Sequence, residues 1–287
     1  MTESPYHLAW RVTEPIHSMI YFVPEGPEAY AKAGLDDAGA GYFASRGAVF
    51  GATGPQVVTA TFYNFNPRLV ARVLPAAWQK TTPEAMIAAR YHAVDAALTR
   101  GLGAEVLAGP EVAEAAELAR TAAEAATRWP QGRPLFAAHA ELAWPEQPHL
   151  VLFHAQTLLR EFRGDGHIAA LLTAGLSGLE AVVLYVKQGL SDERFLRPTR
   201  GWSRDEWAAA AEGLRERGLL TGDELSEEGL RLRAAIEEQT DRLAAPAYEV
   251  LGEQGALRLA ELTRPLRRTL VKAGFLDPRG LSPQRPS

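Results

Sequence analysis

Cysteine is absent from all 287 residues, and that absence removes disulfides, thiolate metal sites, cysteine-ligated iron–sulfur clusters and cysteine nucleophiles together. Catalytic chemistry must then rest on His, carboxylates, Arg, Lys, Tyr or Ser/Thr. Lysine is scarce: four of the 30 basic residues are Lys and the rest are Arg. A surplus of positive charge is also missing, because 35 acidic residues leave the net charge at −5. Neither half of the chain is a polycation, so the electrostatic footprint of a whole-domain nucleic-acid binder is not there. No basic segment followed by an apolar run opens the chain, so no export signal is read and a cytoplasmic location is expected. The longest apolar stretch, residues 168–186, approaches a membrane span in length but contains Gly175, Ser177, Gly178 and Glu180. A turn and a carboxylate near its middle point to buried paired helices and to no membrane partner. No Gly-x-Gly-x-x-Gly loop, Walker motif or Gly-x-Ser-x-Gly elbow occurs, which sets nucleotide-cofactor and serine-hydrolase mechanisms aside.

What is present is a globular composition, 47% hydrophobic and 23% charged, with length enough for one large domain or two of ordinary size. Fifty residues are Ala, which favours helix and fits a GC-rich bacterial genome. The chain also repeats itself. At an offset of 110, Phe43, Gly54, Ala60, Leu69, Ala71, Val73 and Leu74 fall on Phe153, Gly164, Ala170, Leu179, Ala181, Val183 and Leu184. The offset grows to 117, setting Ala93 and Arg100-Gly101-Leu102 on Ala210 and Arg217-Gly218-Leu219. It grows again to 120, where Ala140-Glu141-Leu142 meets Ala260-Glu261-Leu262. Offsets that only increase are what loop insertions in one copy produce, so a tandem duplication is expected, with repeats at 1–139 and 140–287 packed as a pseudodimer within one chain.

Each copy reads as helical. Apolar helices are expected at 15–23 and 148–162, the second stopped by Arg163-Gly164. Short helices follow at 56–65 and 67–78 in the first copy and at 166–175 and 179–188 in the second, with Asn66 as N-cap ahead of Pro67. Capping boxes at Thr81-Thr82-Pro83-Glu84 and Ser203-Arg204-Asp205-Glu206 open further helices that Gly101 and Gly218 close. Residues 219–225 form a short β-wing, and long helices at 110–129 and 227–251 complete the copies. The fold class is therefore all-α with minor β wings, built of tandem winged-helix-like or helix-turn-helix units.

Leu214-Arg215-Glu216-Arg217-Gly218-Leu219-Leu220 followed by Leu225-Ser226-Glu227-Glu228-Gly229 resembles the recognition-helix end and wing of MarR-type winged-helix regulators, over about 40 residues. The whole chain is more similar to an actinobacterial family of helix-turn-helix proteins. Three stretches carry that likeness: Tyr63-Asn64-Phe65-Asn66-Pro67, the run from Leu159 through Arg163-Gly164-Asp165-Gly166-His167, and Gly201-Trp202. Where the family pattern has a histidine this chain has Phe162, so no metal role that requires it is implied. The resemblance implies a winged-helix fold and a possible DNA partner.

The residues only partly support DNA contact. The helix at 179–186 is almost wholly apolar and reads as core, while that at 203–217 begins Arg204, Asp205, Glu206. A carboxylate about 6 Å from a phosphate costs roughly 0.7 kcal/mol even in water. Arg68 and Arg72, one turn apart, and Arg264, Arg267, Arg268 and Lys272, spaced to share a helical face, are the candidate phosphate contacts.

The duplication also serves as an internal control. At offset 110, His154, Arg160, Arg163, Asp165 and His167 stand opposite Ala44, Phe50, Thr53, Pro55 and Val57. Ionisable residues in one copy only mark either a wet helix face or a site. On a helix, His154, Thr157, Arg160 and Glu161 form one polar arc, Asp165 reads as an N-cap, and His167 falls in the first turn that follows. Arg46, in an apolar segment, must reach water, a glutamate or an anion. Arg46, Tyr63, Asn64, His154, Arg160 and His167 are accordingly the expected ligand-binding set. The first functional expectation is a small-molecule-binding protein, possibly a ligand-responsive transcription regulator, acting as monomer or homodimer. The alternative is an enzyme on the same scaffold, in bacterial secondary metabolism, with His154 or His167 as base and Asp165 orienting it. No cofactor and no metal site are expected; a metal or haem on His154 or His167 is the weaker alternative, since no His-x-x-x-His spacing occurs.

Overall fold

The computed structural model describes residues 3–276; residues 1–2 and 277–287, at the ends of the two expected repeats, lie outside the described residues. Among the described residues fifteen α-helices follow one another, with 3-10 turns at Met19–Tyr21 and Ala48–Phe50. They are α1 (Pro5–Ser18), α2 (Glu25–Lys32), α3 (Ala38–Gly47), α4 (Pro55–Phe62), α5 (Pro67–Ala77), α6 (Pro83–Leu102), α7 (Ala104–Leu107) and α8 (Pro110–Ala126). After these come α9 (Pro134–Ala140), α10 (Pro148–Thr173), α11 (Gly178–Lys187), α12 (Glu193–Thr199) and α13 (Arg204–Glu216). The hairpin β1 (Leu220–Thr221) and β2 (Glu224–Leu225) then leads into α14 (Glu227–Glu249) and α15 (Gly252–Lys272). The hairpin is antiparallel, with Leu220 facing Leu225 and Thr221 facing Glu224.

The 26-residue helix α10 is the axis of the molecule, and α1, α8, α9 and α14 pack around it. Helix α8 presents Val112, Ala115, Ala116, Ala119, Ala122, Ala123 and Ala126, all buried, at three- and four-residue spacing. Those small side chains let α8 lie close against α10, where Leu152, Ala155, Leu158, Leu159 and Phe162 fill the seam. A second cluster joins Phe153 of α10 to α2, α6 and α15. Two further clusters are local, one gathering α3, α4, α5 and the start of α6, the other α11, α12, α13 and the hairpin.

Several boundaries were legible and others require correction. Asn66 caps α5 with Pro67 first in the helix, Ser203 and Glu206 form the reciprocal capping box of α13, and Gly218 takes a positive φ after α13. The helix expected at 15–23 begins ten residues earlier, at Pro5, and runs through the internal Pro15. Helix α6 is capped by Thr82 and not Thr81, and passes through Gly101 to end at Gly103, where φ is 85°. Gly101 is kept for space, because a Cβ there would press on Phe275.

The largest correction concerns α10, which was expected to stop at Arg163-Gly164 and instead continues to Thr173. Gly166 makes room without breaking the helix: a Cβ there would sit 2.9 Å from Arg133 Nη1. Arg133 uses that space to donate to the carbonyl of Phe162 and, at 2.9 Å, to that of Leu243 on α14. Asp165 is consequently no N-cap of its own helix. Its Oδ2 accepts the backbone N–H of Phe136 at 2.9 Å, in the first turn of α9, so it caps a neighbouring helix from the side.

Gly178 shows a similar close approach, since any Cβ there would overlap the carbonyl of Tyr63. Tyr63 ends α4 with a φ of 56°, and its hydroxyl donates to the carbonyl of Leu176. Among the described residues no single helix is long and apolar enough to cross a membrane; α10 and α11 pass that test only as a pair bent by 98°.

Burial raises the Asp165 carboxyl to about 7, against the opposing pull of the Phe136 N–H. A folded-state pKa above the unfolded one gives stability that is full at low pH and is lost as pH rises through the folded value. Comparison of wild type with Asp165→Asn by chemical denaturation should therefore show the difference moving in favour of wild type by about 2–4 kcal/mol between pH 8 and pH 4. A difference that does not change with pH would show Asp165 to be charged throughout.

Candidate anion-binding site

Arg46 sits near the end of α3, a helix with no acidic residue, and is only 8% exposed. An unpaired guanidinium at that depth is prohibitive, and the partner comes from the other end of the chain. Glu161 of α10, itself buried, accepts from Arg46 Nη2 at 3.1 and 3.3 Å. Arg46 Nη1 donates to the Tyr42 hydroxyl at 3.0 Å, one turn earlier on α3, and the guanidinium lies 4.2 Å over the Phe62 ring. Glu161 also accepts from Arg160 Nη1 at 2.9 Å, and Arg160 Nε reaches Glu14 of α1 at 3.0 Å. One chain of charges, Glu14–Arg160–Glu161–Arg46, thus ties α1, α10 and α3 together.

Two more arginines enter the same region without a carboxylate. Arg200, which caps α12, stacks 4.5 Å from the Phe65 ring, and its buried Nε has no partner among the described residues. Arg90 of α6 donates from Nη2 to the Tyr21 hydroxyl at 3.1 Å. Tyr21 is ringed by three guanidiniums, those of Arg46, Arg90 and Arg160, at 5.3–5.7 Å. A row of hydrogen bonds leads on: Tyr21 Oη donates to His17 Nε2 at 3.0 Å, His17 Nδ1–H donates to Thr157 Oγ1 at 2.9 Å, and Thr157 donates to the Phe153 carbonyl at 3.0 Å. The last bond fixes the sense of the row, because a hydroxyl that gives its proton to Phe153 can only accept from His17.

The electrostatics follow. Burial alone would raise Glu161, but Arg46 and Arg160, with His139 beyond, hold it down at about 2. Burial opposes ionisation of Tyr42, yet Arg46, Arg200 and Arg160 bring its phenol below the ordinary value. Arg200 is itself lowered, by burial first. Four guanidiniums, of Arg46, Arg90, Arg160 and Arg200, face two carboxylates, of Glu14 and Glu161, which leaves an excess of positive charge. Tyr21, Tyr42, Arg160, Tyr185 and Arg200 are half-buried and give the cluster its access to solvent.

The expected ligand set is divided by the fold. Arg46 and Arg160 meet on Glu161; the others lie elsewhere. The polar arc of α10, which the sequence left as either a wet face or a site, is covered by α1, α6 and α9, so His154, Thr157 and Glu161 are buried. His154 shares a hydrogen bond of 2.6 Å with the Tyr91 hydroxyl and packs edge-on to Trp144, while burial, helped by Arg120, lowers it to about 4. His167 is mid-helix, not in a first turn, and donates from Nδ1 to Thr240 Oγ1 at 2.9 Å. Asp165 and His167 project about 200° apart around α10, so the expected pairing of base and orienting carboxylate does not assemble. Tyr63 and Asn64 form a corner instead: the Asn64 carbonyl accepts from Trp202 Nε1 at 3.0 Å. Among the described residues no group of three or more metal-ligating side chains occurs.

Sequence reasoning missed His17, Tyr21, Tyr42, Arg90 and Arg200 and placed Glu161 on the solvent side. One signal was available, the row of Tyr21, Tyr42, Arg46, Arg90 and Arg160, all polar or charged residues inside apolar helical stretches.

The candidate phosphate contacts also separate. Arg68 bonds to Glu206 on α13, and Arg72 is exposed. On α15, Arg264, Arg268 and Lys272 are exposed without an ion pair to any described residue, whereas Arg267 is turned inward with its Nε buried. Helix α13 buries Trp207, Ala211 and Leu214, and shows solvent one cation, Arg204, against three carboxylates, Asp205, Glu212 and Glu216, with Ala208 and Ala209 between them. At the hairpin tip Asp223 is held by Lys187 and Arg215. The surface that a recognition helix and wing would offer to DNA is therefore acidic.

Apart from one small hairpin the described residues are helical, and α11, α12 and α13 lead through that hairpin into a long helix. The profile of a helix-turn-helix family matches residues 6–277, and the chain belongs to that family. No curated protein and no solved structure matches it.

Removing the charge of Glu161 leaves Arg46 buried against no carboxylate. Glu161→Gln should cost about 3–5 kcal/mol in chemical denaturation, and Arg46→Met with Glu161→Met together should restore much of that loss. Equal stability of Glu161→Gln and wild type would dismiss the pair as a structural tie. Because Glu161 is depressed, the stability it gives is full above its ordinary value and is lost as pH falls toward 2.

Proposed function

We propose that the chain is a small-molecule-binding protein of winged-helix ancestry, taking a small aromatic carboxylate at the Arg46–Arg160–Arg200 cluster and acting as a ligand-responsive transcription regulator. The observation that carries the reading is the excess of buried positive charge, with Arg200 Nε unpartnered beside the rings of Tyr42 and Phe65. A carboxylate would complete the charge balance, and an aromatic body would sit among Tyr21, Tyr42, Phe62 and Phe65. DNA contact, in this reading, runs through phosphates on the basic face of α15, since α13 presents carboxylates.

We also read the chain as a tandem duplication of MarR-like units packed as a pseudodimer, divided near residue 139. Support comes from the element order: α5 and α11 stand at the offset of 110, and α8 and α14 at 117. The two local clusters occupy corresponding places, and Arg46 and Glu161 join one repeat to the other across the candidate site.

Titration calorimetry with benzoate should give saturable binding, weaker with acetate and with inorganic phosphate. Arg200→Met, which spares the Arg46–Glu161 pair, should weaken benzoate binding about tenfold or more. No saturable binding of any of the three removes the ligand reading. Separately, DNA from upstream of the gene should be retarded at low salt, and less so after joint charge reversal of Arg264, Arg268 and Lys272 to Glu. Absence of retardation removes the regulatory role and leaves ligand binding standing.

A further inference from the structure

Arg90 is 4% exposed, and no carboxylate reaches it. Only its Nη2 is engaged, by Tyr21 and at 3.4 Å by His17; Nε and Nη1 are buried with no partner among the described residues. Beside them lies a cavity of about 10 Å³, lined in part by Ser45, Arg90, Tyr91, His139, Phe153 and Thr157. His139, also 4% exposed, contributes a second orphan, its Nδ1. Three observations thus coincide at one place: a cation without a counter-charge, unpartnered polar atoms on two side chains, and a small, partly open space lined by both.

The size of the cavity selects the occupant. Space of this order is at the limit for one water molecule, so a monoatomic anion, somewhat larger than water, enters with a small outward shift of the lining side chains, and a carboxylate or phosphate is excluded. Water would accept hydrogen bonds but leave the guanidinium charge uncompensated in a region where Arg46 and Arg160 already repel it. A monoatomic anion satisfies the same donors and also supplies the missing charge.

We propose that this cavity is a halide site, occupied by chloride, with Arg90 Nε and Nη1 and His139 Nδ1 as its donors. The site is distinct from the aromatic-carboxylate cluster, because Arg90 and His139 are inside the core and the half-buried rim residues take no part in it. Bound chloride neutralises the one charge on α6 that faces α1 and α10, and so holds those three helices together.

The test uses the full chain crystallised from sodium bromide. A bromine anomalous peak should appear within hydrogen-bond distance of Arg90 Nε or Nη1, and should vanish in Arg90→Met. Thermal unfolding at constant ionic strength should show the wild type melting a few degrees higher in chloride or bromide than in gluconate, saturably, a difference that His139→Phe diminishes. Should Arg90→Met not fold, the peak in the wild type and its loss in His139→Phe carry the result. A cavity that holds water alone in bromide, with no anomalous peak, overturns the proposal whatever the melting curves show.

Discussion

Glu161 is the constraint on which the arrangement depends. One carboxylate, buried at the centre of the longest helix, accepts from two guanidiniums that arrive from its own helix and from α3. Its cost of desolvation is several kcal/mol, repaid only while both cations are in place. The packing of α3 against α10, the position of Tyr42, and the reach of Arg160 back to Glu14 all follow from holding that pair together. Hydrophobic burial supplies the bulk of the stability, but it is indifferent to register; the charged chain is not.

Local chemistry was readable from the sequence wherever it was decided locally. Asn66-Pro67, Ser203 with Glu206, and Gly218 each satisfy a helix end with neighbouring atoms, and each lies where a few consecutive residues specify. The errors share an opposite cause. Gly166 looks like a break until Arg133, some thirty residues away, is seen to need the space, and Asp165 looks like a cap until α9 is seen to be what it caps. The polar arc of α10 was correctly drawn but left open between a wet face and a site, because periodicity gives the arc and only tertiary packing says what covers it. At the site, Arg46 was anticipated as needing water, a glutamate or an anion and Arg160 as part of a polar arc, yet Arg90, Arg200 and the tyrosines became visible only when distant parts of the chain were placed side by side.

Membership of a helix-turn-helix family and an acidic recognition surface stand in tension, and the balance of charge explains how both hold. Helix α13 keeps the elements of the motif, with a capped start, a buried Trp207-Ala211-Leu214 seam and a hairpin at its end. Its carboxylates are partly committed, Glu212 to Arg215 and Glu206 to Arg68, so the motif here also packs α13 against α5. Positive charge has moved to the interior and to α15. A scaffold of this kind separates what the fold was shaped to touch from what its present surface can attract.

The row from Arg90 through Tyr21, His17 and Thr157 to the Phe153 carbonyl has only one direction available to it. Every hydroxyl along it both gives and takes one proton, which makes it a file of dipoles all pointing the same way. Any molecule that captured the Tyr21 proton would take the donor from His17 Nε2, leaving it the longer Arg90 contact at 3.4 Å or an exchange of tautomer. Such a change would carry the news of occupancy from α6 to α10 as a reversal of polarity, with no backbone atom obliged to move.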